Sequence, residues 1–221
     1  MEYQGLTPDD LANITALNRF FLRAVSMSDA TVFAGIAARR LTERQLSWLA
    51  SAPFLLFSFR EQDNEYWRHV LADDPQIDLI GCGELPDEKI GQLQVAGLGF
   101  LWQLARRNPY AARIISGAPV SWCERLSGLT LVALLRRAAP RGDLLRMRFP
   151  DEDKVWRRLL GHGVSSRREV RLISHHFALQ AMLTRHQEAH HNRLPAAACN
   201  MQAPVTRDAR QRAADIRSRQ V

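Results

Sequence analysis

The chain has 221 residues, 46% of them hydrophobic, and its 30 basic side chains outnumber its 23 acidic ones for a net charge of +7. That length holds one ordinary domain or two small ones around a real core, and the longest apolar stretch, Val95–Trp102, is too short and too glycine-interrupted to span a membrane. The Met1-Glu2-Tyr3-Gln4 start lacks signal-peptide features, and three cysteines without paired spacing (Cys82, Cys123, Cys199) suit free thiols, so a cytoplasmic location is expected.

Helix punctuation dominates the pass along the chain. Thr7-Pro8-Asp9-Asp10 supplies a cap, a first-turn proline and two acids ahead of the apolar run from Leu11 to Val25. Asp29 caps a short helix ending near Gly35. Thr42-Glu43-Arg44-Gln45 reads as a capping box, and Pro53 stops that helix near Ala52. Phe54–Phe59 has strand composition but no strand neighbour to pair with, so no sheet is expected. Asp63 or Asn64 opens a helix through Trp67 and Leu71, and Asp73 to Pro86 is linker.

A second round begins at Asp87. A long apolar helix runs from Lys89 to Arg107; Asn108-Pro109 ends it and starts the next. Gly117, Thr130, Pro140 and Gly142 divide the stretch up to Asp151, and Asp151, Glu152 and Asp153 open a helix to about Leu160. Gly161-His162-Gly163 breaks the chain. Ser166-Arg167-Arg168-Glu169 reads as another capping box, opening a helix to about His186. Beyond Asn192 the chain is polar and arginine-rich, which predicts a flexible basic tail.

The two rounds share landmarks in order. Ala30–Gly35, Leu41-Thr42, Ala52-Pro53, Phe54–Phe59 and Trp67-Arg68 recur as Ala112–Gly117, Leu129-Thr130, Ala139-Pro140, Leu144–Phe149 and Trp156-Arg157, at offsets of 82, 88, 87, 90 and 89 residues. A period this long is the mark of a duplicated small domain rather than a solenoid. Chance likeness of leucine-rich helices is the alternative, but amphipathic spacing does not require the Gly, Ala-Pro and Trp-Arg landmarks. The same series predicts that Trp67 and Trp156 are buried.

Charge is segregated along the chain. Residues 1–103 carry 8 basic and 14 acidic side chains, a net of −6, and residues 104–221 carry 22 and 9, a net of +13. The second part would attract a polyanion that the first repels. A solvated basic face with no partner is the plainer alternative.

Within the basic part, the helix up to Leu160, the Gly161–Ser165 turn and the next helix have the layout of a helix-turn-helix, whose second helix meets DNA with its first residues. Arg167, Arg168 and Arg171 lie there, although cations in a first turn oppose the helix dipole. Arg157 and Arg158 precede the turn and would brace the DNA backbone. These five are the candidate DNA-binding residues; a helical hairpin with arginine on its wet side is the alternative.

Catalytic and metal patterns are poor. His186 and His190 stand four apart on one helix face, with His191 and Cys199 nearby, but Glu188 is displaced from the position a zinc protease needs. No Cys-x-x-Cys pair, Gly-x-Ser-x-Gly elbow or phosphate-cradling loop occurs. No enzyme activity, cofactor or metal is expected.

The run Ala111-Ala112-Arg113-Ile114-Ile115-Ser116-Gly117, then Glu124–Thr130, Leu134 and Leu144-Leu145-Arg146-Met147-Arg148-Phe149-Pro150-Asp151, resembles the FlhD family of flagellar transcriptional regulators. Leu11-Ala12-Asn13-Ile14 through Phe59 echoes it, and the Arg167–His186 helix looks like the family's C-terminal helix. The resemblance implies an all-α protein active in transcription. It would comprise a first FlhD-like unit at 7–74, a second at 87–161, a C-terminal helix at 162–191 and a tail at 192–221, with the two units packed as an intrachain pseudo-dimer. It implies DNA and an FlhC-like subunit as partners, flagellar or related genes as targets, and leaves a homo-oligomer open. The alternative is an interaction protein that modulates a regulator subunit without touching DNA.

Overall fold

Several helices begin where a side chain meets the amides that a helix start leaves without partners, though Val120–Ser127 follows Pro119 with no side-chain cap. The computed structural model describes residues 5–26, 41–72, 88–142, 144–150 and 153–191. Helix α1 (Pro8–Ser26) opens on a reciprocal pair: the Asp10 amide donates to the Thr7 hydroxyl at 3.2 Å, and the Thr7 amide donates to Asp10 Oδ2 at 2.8 Å. Helix α2 (Glu43–Ala50) has the same device in Thr42 and Gln45. The chain then passes β1 (Phe57–Ser58) into α3 (Asn64–Ala72), where Asp63 accepts from the Tyr66 amide at 2.9 Å. The expected Asp29 cap and the 73–86 linker lie outside the described residues.

Helix α4 (Glu88–Arg107) is followed by α5 (Pro109–Ser116), capped by Asn108 with Pro109 at its first position and ended by Gly117 at φ 66°. Helix α6 (Val120–Ser127) leads to α7 (Leu131–Ala138), capped by Thr130. Strand β2 (Arg146–Met147), α8 (Asp153–Gly161) and α9 (Arg168–His191) complete the order. The fold is all-α with one short ribbon. Residues 1–186 form one compact unit; Gln187–Val221 is a second, of which the end of α9 is described.

The ribbon corrects one expectation. Phe54–Phe59 does find a partner: β1 pairs antiparallel with β2, Phe57 opposite Met147 and Ser58 opposite Arg146, and the Arg148 amide donates to the Leu56 carbonyl at 3.2 Å. Two residues per strand are too few for a periodic signal, and the partners stand 90 and 88 positions apart. Three local features accompany the ribbon on both sides. A short capped helix precedes each strand. A residue with positive φ comes after it, Arg60 at 55° and Phe149 at 56°. A buried tryptophan then bonds back, Trp67 Nε1 to the Phe59 carbonyl at 2.9 Å and Trp156 Nε1 to the Arg148 carbonyl at 2.6 Å.

Helix α4 is the hub, packing against α1, α5, α6 and α7. Leu93, Leu98, Leu101, Leu104 and Ala105 are buried along it, and Gly97 admits the Phe59 ring, which stands 2.7 Å from where a Cβ would be. Phe21, Phe57 and Phe59 form a chain of rings with centroids 5.3 and 5.4 Å apart, and Trp67 meets Trp122 edge-on at 5.2 Å. Both Trp67 and Trp156 are buried, as expected. Carboxamides on α1 and α4 tie down loops. Asn18 donates to the Ala50 and Phe54 carbonyls and accepts from the Leu56 amide, while Gln94 donates to the Arg141 carbonyl.

A buried ion pair joins the two strands to the loop after β1. The Arg148 guanidinium donates to the Leu55 and Phe57 carbonyls and to Glu61 Oε1 at 3.1 Å, and the Ser58 hydroxyl donates to Glu61 Oε2 at 2.7 Å. Such a pair in a dry interior is tolerable because its polar atoms find partners. Nearby, burial and the negative charges of Glu61 and Glu124 push the Cys123 thiol up to about 12, so it packs as a small apolar group. At the start of α1, burial works to raise the Asp10 carboxyl, but hydrogen bonds from Thr7 and the Arg107 guanidinium outweigh it and hold Asp10 below the ordinary carboxylate value.

Candidate nucleic-acid interface

The five candidate arginines all belong to α8, the turn after it and the first turn of α9. The turn spans His162–Arg167, reaching two residues beyond the expected Ser165 and starting one after Gly161. It is held from α8: the Arg158 carbonyl accepts from the His162 amide at 2.8 Å, the Gly163 amide at 3.2 Å and the Ser174 hydroxyl at 3.1 Å. The last bond ties α9 to α8. Gly163 is needed here for space, because a Cβ would lie 2.5 Å from the Leu159 carbonyl oxygen.

The start of α9 differs from expectation. Ser166 and Glu169 form no reciprocal capping box among the described residues. The helical ladder begins with the Arg171 amide on the Arg167 carbonyl, and the Ser165 hydroxyl takes the Arg167 amide at 3.2 Å. The cap therefore sits one residue further on. Helix α9 also continues past His186 to His191.

The five arginines are not alike. Arg167 and Arg168 are exposed at the head of α9. Arg157 is exposed on α8. Arg158 is half-buried, its guanidinium 4.3 Å above the Phe177 ring. Arg171 is half-buried too; it donates to the Ser165 and Ser166 carbonyls at 2.7 and 3.0 Å and stands 4.9 Å over the Trp48 ring, with Arg44 also 4.9 Å from that ring. Arg158 and Arg171 thus shape the turn from within, while Arg157, Arg167 and Arg168 face water. The sequence marked all five as basic; it held no sign that Phe177 and Trp48 would take up two of them.

Beneath the turn, His175 is 2% exposed and its Nε2 has no hydrogen-bond partner. Burial first, then the positive charges of Arg171 and His176, lower its pKa to about 4, so it is neutral at pH 7. Arg158 Nε is also buried without a partner. Two orphaned polar atoms at the α8–α9 contact mark it as less tightly bonded than the Arg148–Glu61 network.

Helix α9 presents an unusual pair of faces. Ser174, His175, Ala178 and Met182 point inward, and Met182 covers Gly117. Leu172, Ile173 and Phe177 point outward, 44%, 59% and 39% exposed. Sequence periodicity could not say which face met the body. An open groove of about 420 Å³ lies between α1 and α4, lined by Leu17, Phe20 and Phe100 with Asn13 and Gln103, and no charged side chain.

Among the described residues no cluster of His, Cys, Asp or Glu is placed to hold a metal, and no helix is long and apolar enough to cross a membrane. The His186–Cys199 candidates lie outside the residues whose side chains are described. No family model matches the chain, no curated protein is similar to it, and no solved structure matches its fold.

Proposed function

We propose that the protein is a cytoplasmic transcriptional regulator of the FlhD type, without enzyme activity, that acts at DNA with an FlhC-like subunit to control flagellar or related genes. The observation that carries this reading is the head of α9. Arg167 and Arg168 stand exposed beside a turn braced by Arg171, with Arg157 exposed on α8, in the part of the chain that carries +13. Arginine at the start of a helix, beside its unpartnered amides, suits phosphate contact.

We also propose that 7–74 and 87–161 are tandem units packed as a pseudo-dimer. Support comes from the ribbon and its surroundings. An antiparallel pairing of counterpart strands is what a twofold axis through the ribbon requires, and a parallel pairing would exclude it. Phe57 faces Met147, its counterpart at the 90-residue offset. Thr42 and Thr130 cap counterpart helices of eight residues each, and Trp67 and Trp156 each bond the carbonyl eight positions before them.

A second reading, an interaction protein that leaves DNA alone, is favoured by the internal engagement of Arg158 and Arg171, which leaves fewer arginines for phosphate. Fluorescence anisotropy with a labelled duplex at low salt separates the two. The first reading expects binding that Arg167→Ala with Arg168→Ala weakens; the second expects none from the wild-type chain.

A further inference from the structure

We propose that the outward face of α9 is a docking surface for an amphipathic helix of another protein whose apolar stripe is flanked by acidic side chains. The inference rests on the partner half of the reading above and adds where the partner sits and what it looks like. Leu172, Ile173 and Phe177 form a ridge at the spacing by which helices pack, Ile173 and Phe177 four residues apart with Leu172 beside them. The same helix turns Ser174, His175, Ala178 and Met182 to the body and leaves Leu172, Ile173 and Phe177 exposed. An exposed apolar cluster of this kind on a folded surface is the mark of an interaction site.

The ridge is also pre-arranged. The Arg158 guanidinium, 4.3 Å over the Phe177 ring, holds that ring, and the Ser174 bond to the Arg158 carbonyl fixes the helix that carries it. Arg171 anchors the first turn to the Ser165 and Ser166 carbonyls. A rigid aromatic beside aliphatic anchors loses little freedom on binding, the usual make-up of a hot spot.

Charge selects the occupant. Arg167 and Arg168 are exposed at one end of the ridge, against the single acid Glu169 between 165 and 184. A second copy would bring two halves of +13 together, which like-charge repulsion opposes. Duplex DNA offers no apolar surface for Ile173 and Phe177. An acidic-flanked helix answers both features, its apolar stripe on the ridge and its carboxylates on Arg167 and Arg168.

The test uses the full chain and two labelled synthetic helices of about 20 residues that share one leucine face, one flanked by glutamate and the other by lysine. Anisotropy titration should show the glutamate helix binding about tenfold or more tighter than the lysine helix. Ile173→Ser with Phe177→Ser should weaken the glutamate helix by about tenfold or more, and Arg167→Glu with Arg168→Glu should reverse the preference. The serine pair should keep its circular dichroism spectrum, with the melting midpoint lowered by only a few degrees through loss of the Arg158–Phe177 contact. Equal binding of both helices, or no effect of the serine pair, would overturn the proposal. So would concentration-dependent dimerisation in ultracentrifugation that the serine pair abolishes, because a second copy would then be the occupant. Duplex binding measured on the serine pair keeps the two readings apart: its retention alongside loss of the glutamate helix supports the ridge, whereas failure of the wild-type chain to bind duplex refutes only the DNA reading.

Discussion

Replacing Arg148 by Met should be among the most damaging single changes in the chain. Arg148 is 7% exposed and Glu61 1%. The substitution keeps volume but strips the Leu55 and Phe57 carbonyls of a donor and leaves the Glu61 carboxylate with only the Ser58 hydroxyl among its side-chain partners. A buried charge deprived of its counterion costs about 3–5 kcal/mol. For a unit of this size that lowers the melting midpoint by about 10 °C. Glu61→Gln is milder, about 1–3 kcal/mol, because an amide oxygen still accepts from Arg148. Combining the two should recover part of the loss, with a coupling on the order of 2 kcal/mol, since the Met variant no longer strands a charge. Urea unfolding followed by tryptophan fluorescence measures all three. A loss under about 1 kcal/mol for Arg148→Met, or strict additivity in the double variant, would refute the reasoning.

Two further outcomes are expected from the α8–α9 contact. His175 has a folded pKa of about 4 against an unfolded value near 6.5, so the unfolded chain binds more protons between them and stability falls as pH drops below 6.5. The loss should reach about 2 kcal/mol at pH 5, and His175→Leu should flatten that limb of a urea-midpoint profile; a wild-type profile level from pH 7 to 5 would contradict it. Gly163→Ala pushes a Cβ against the Leu159 carbonyl and should cost about 1–3 kcal/mol in thermal melts, whereas Gly161→Ala, with open space around its Cβ position, should cost little.

Much of the fold was legible because helix starts are local chemistry. Thr7, Thr42 with Gln45, Asn108 with Pro109, and Thr130 each act within three or four residues, so the sequence displays them whole. Trp67 and Trp156 were legible as core from their place in the repeated landmarks. The features that escaped notice depend on distant partners. The ribbon is two residues per strand, and its register links positions 88 and 90 apart. Ser166 and Glu169 have the spacing of a capping box, yet Ser165 takes the Arg167 amide because the turn is anchored on the Arg158 carbonyl. The arginine cluster was visible as charge. That Arg158 lies over Phe177 and Arg171 over Trp48, from the other end of the chain, was not. Nor does periodicity tell which face of α9 turns outward.

Duplex binding titrated against salt, for the wild-type chain and for Arg167→Ala with Arg168→Ala, decides whether the head of α9 meets phosphate. Each phosphate neutralised contributes about −0.9 to the slope of log K against log salt. If both arginines meet phosphate, the double variant should bind more weakly at low salt and its slope should be shallower by about 2. Arg171→Ala serves as the control: it loosens the turn and lowers stability without removing an exposed charge from the head of α9, so its slope should stay nearer the wild-type value. Parallel slopes for wild type and the double variant would place the phosphate contacts elsewhere, and no binding by either at low salt would contradict the DNA reading outright.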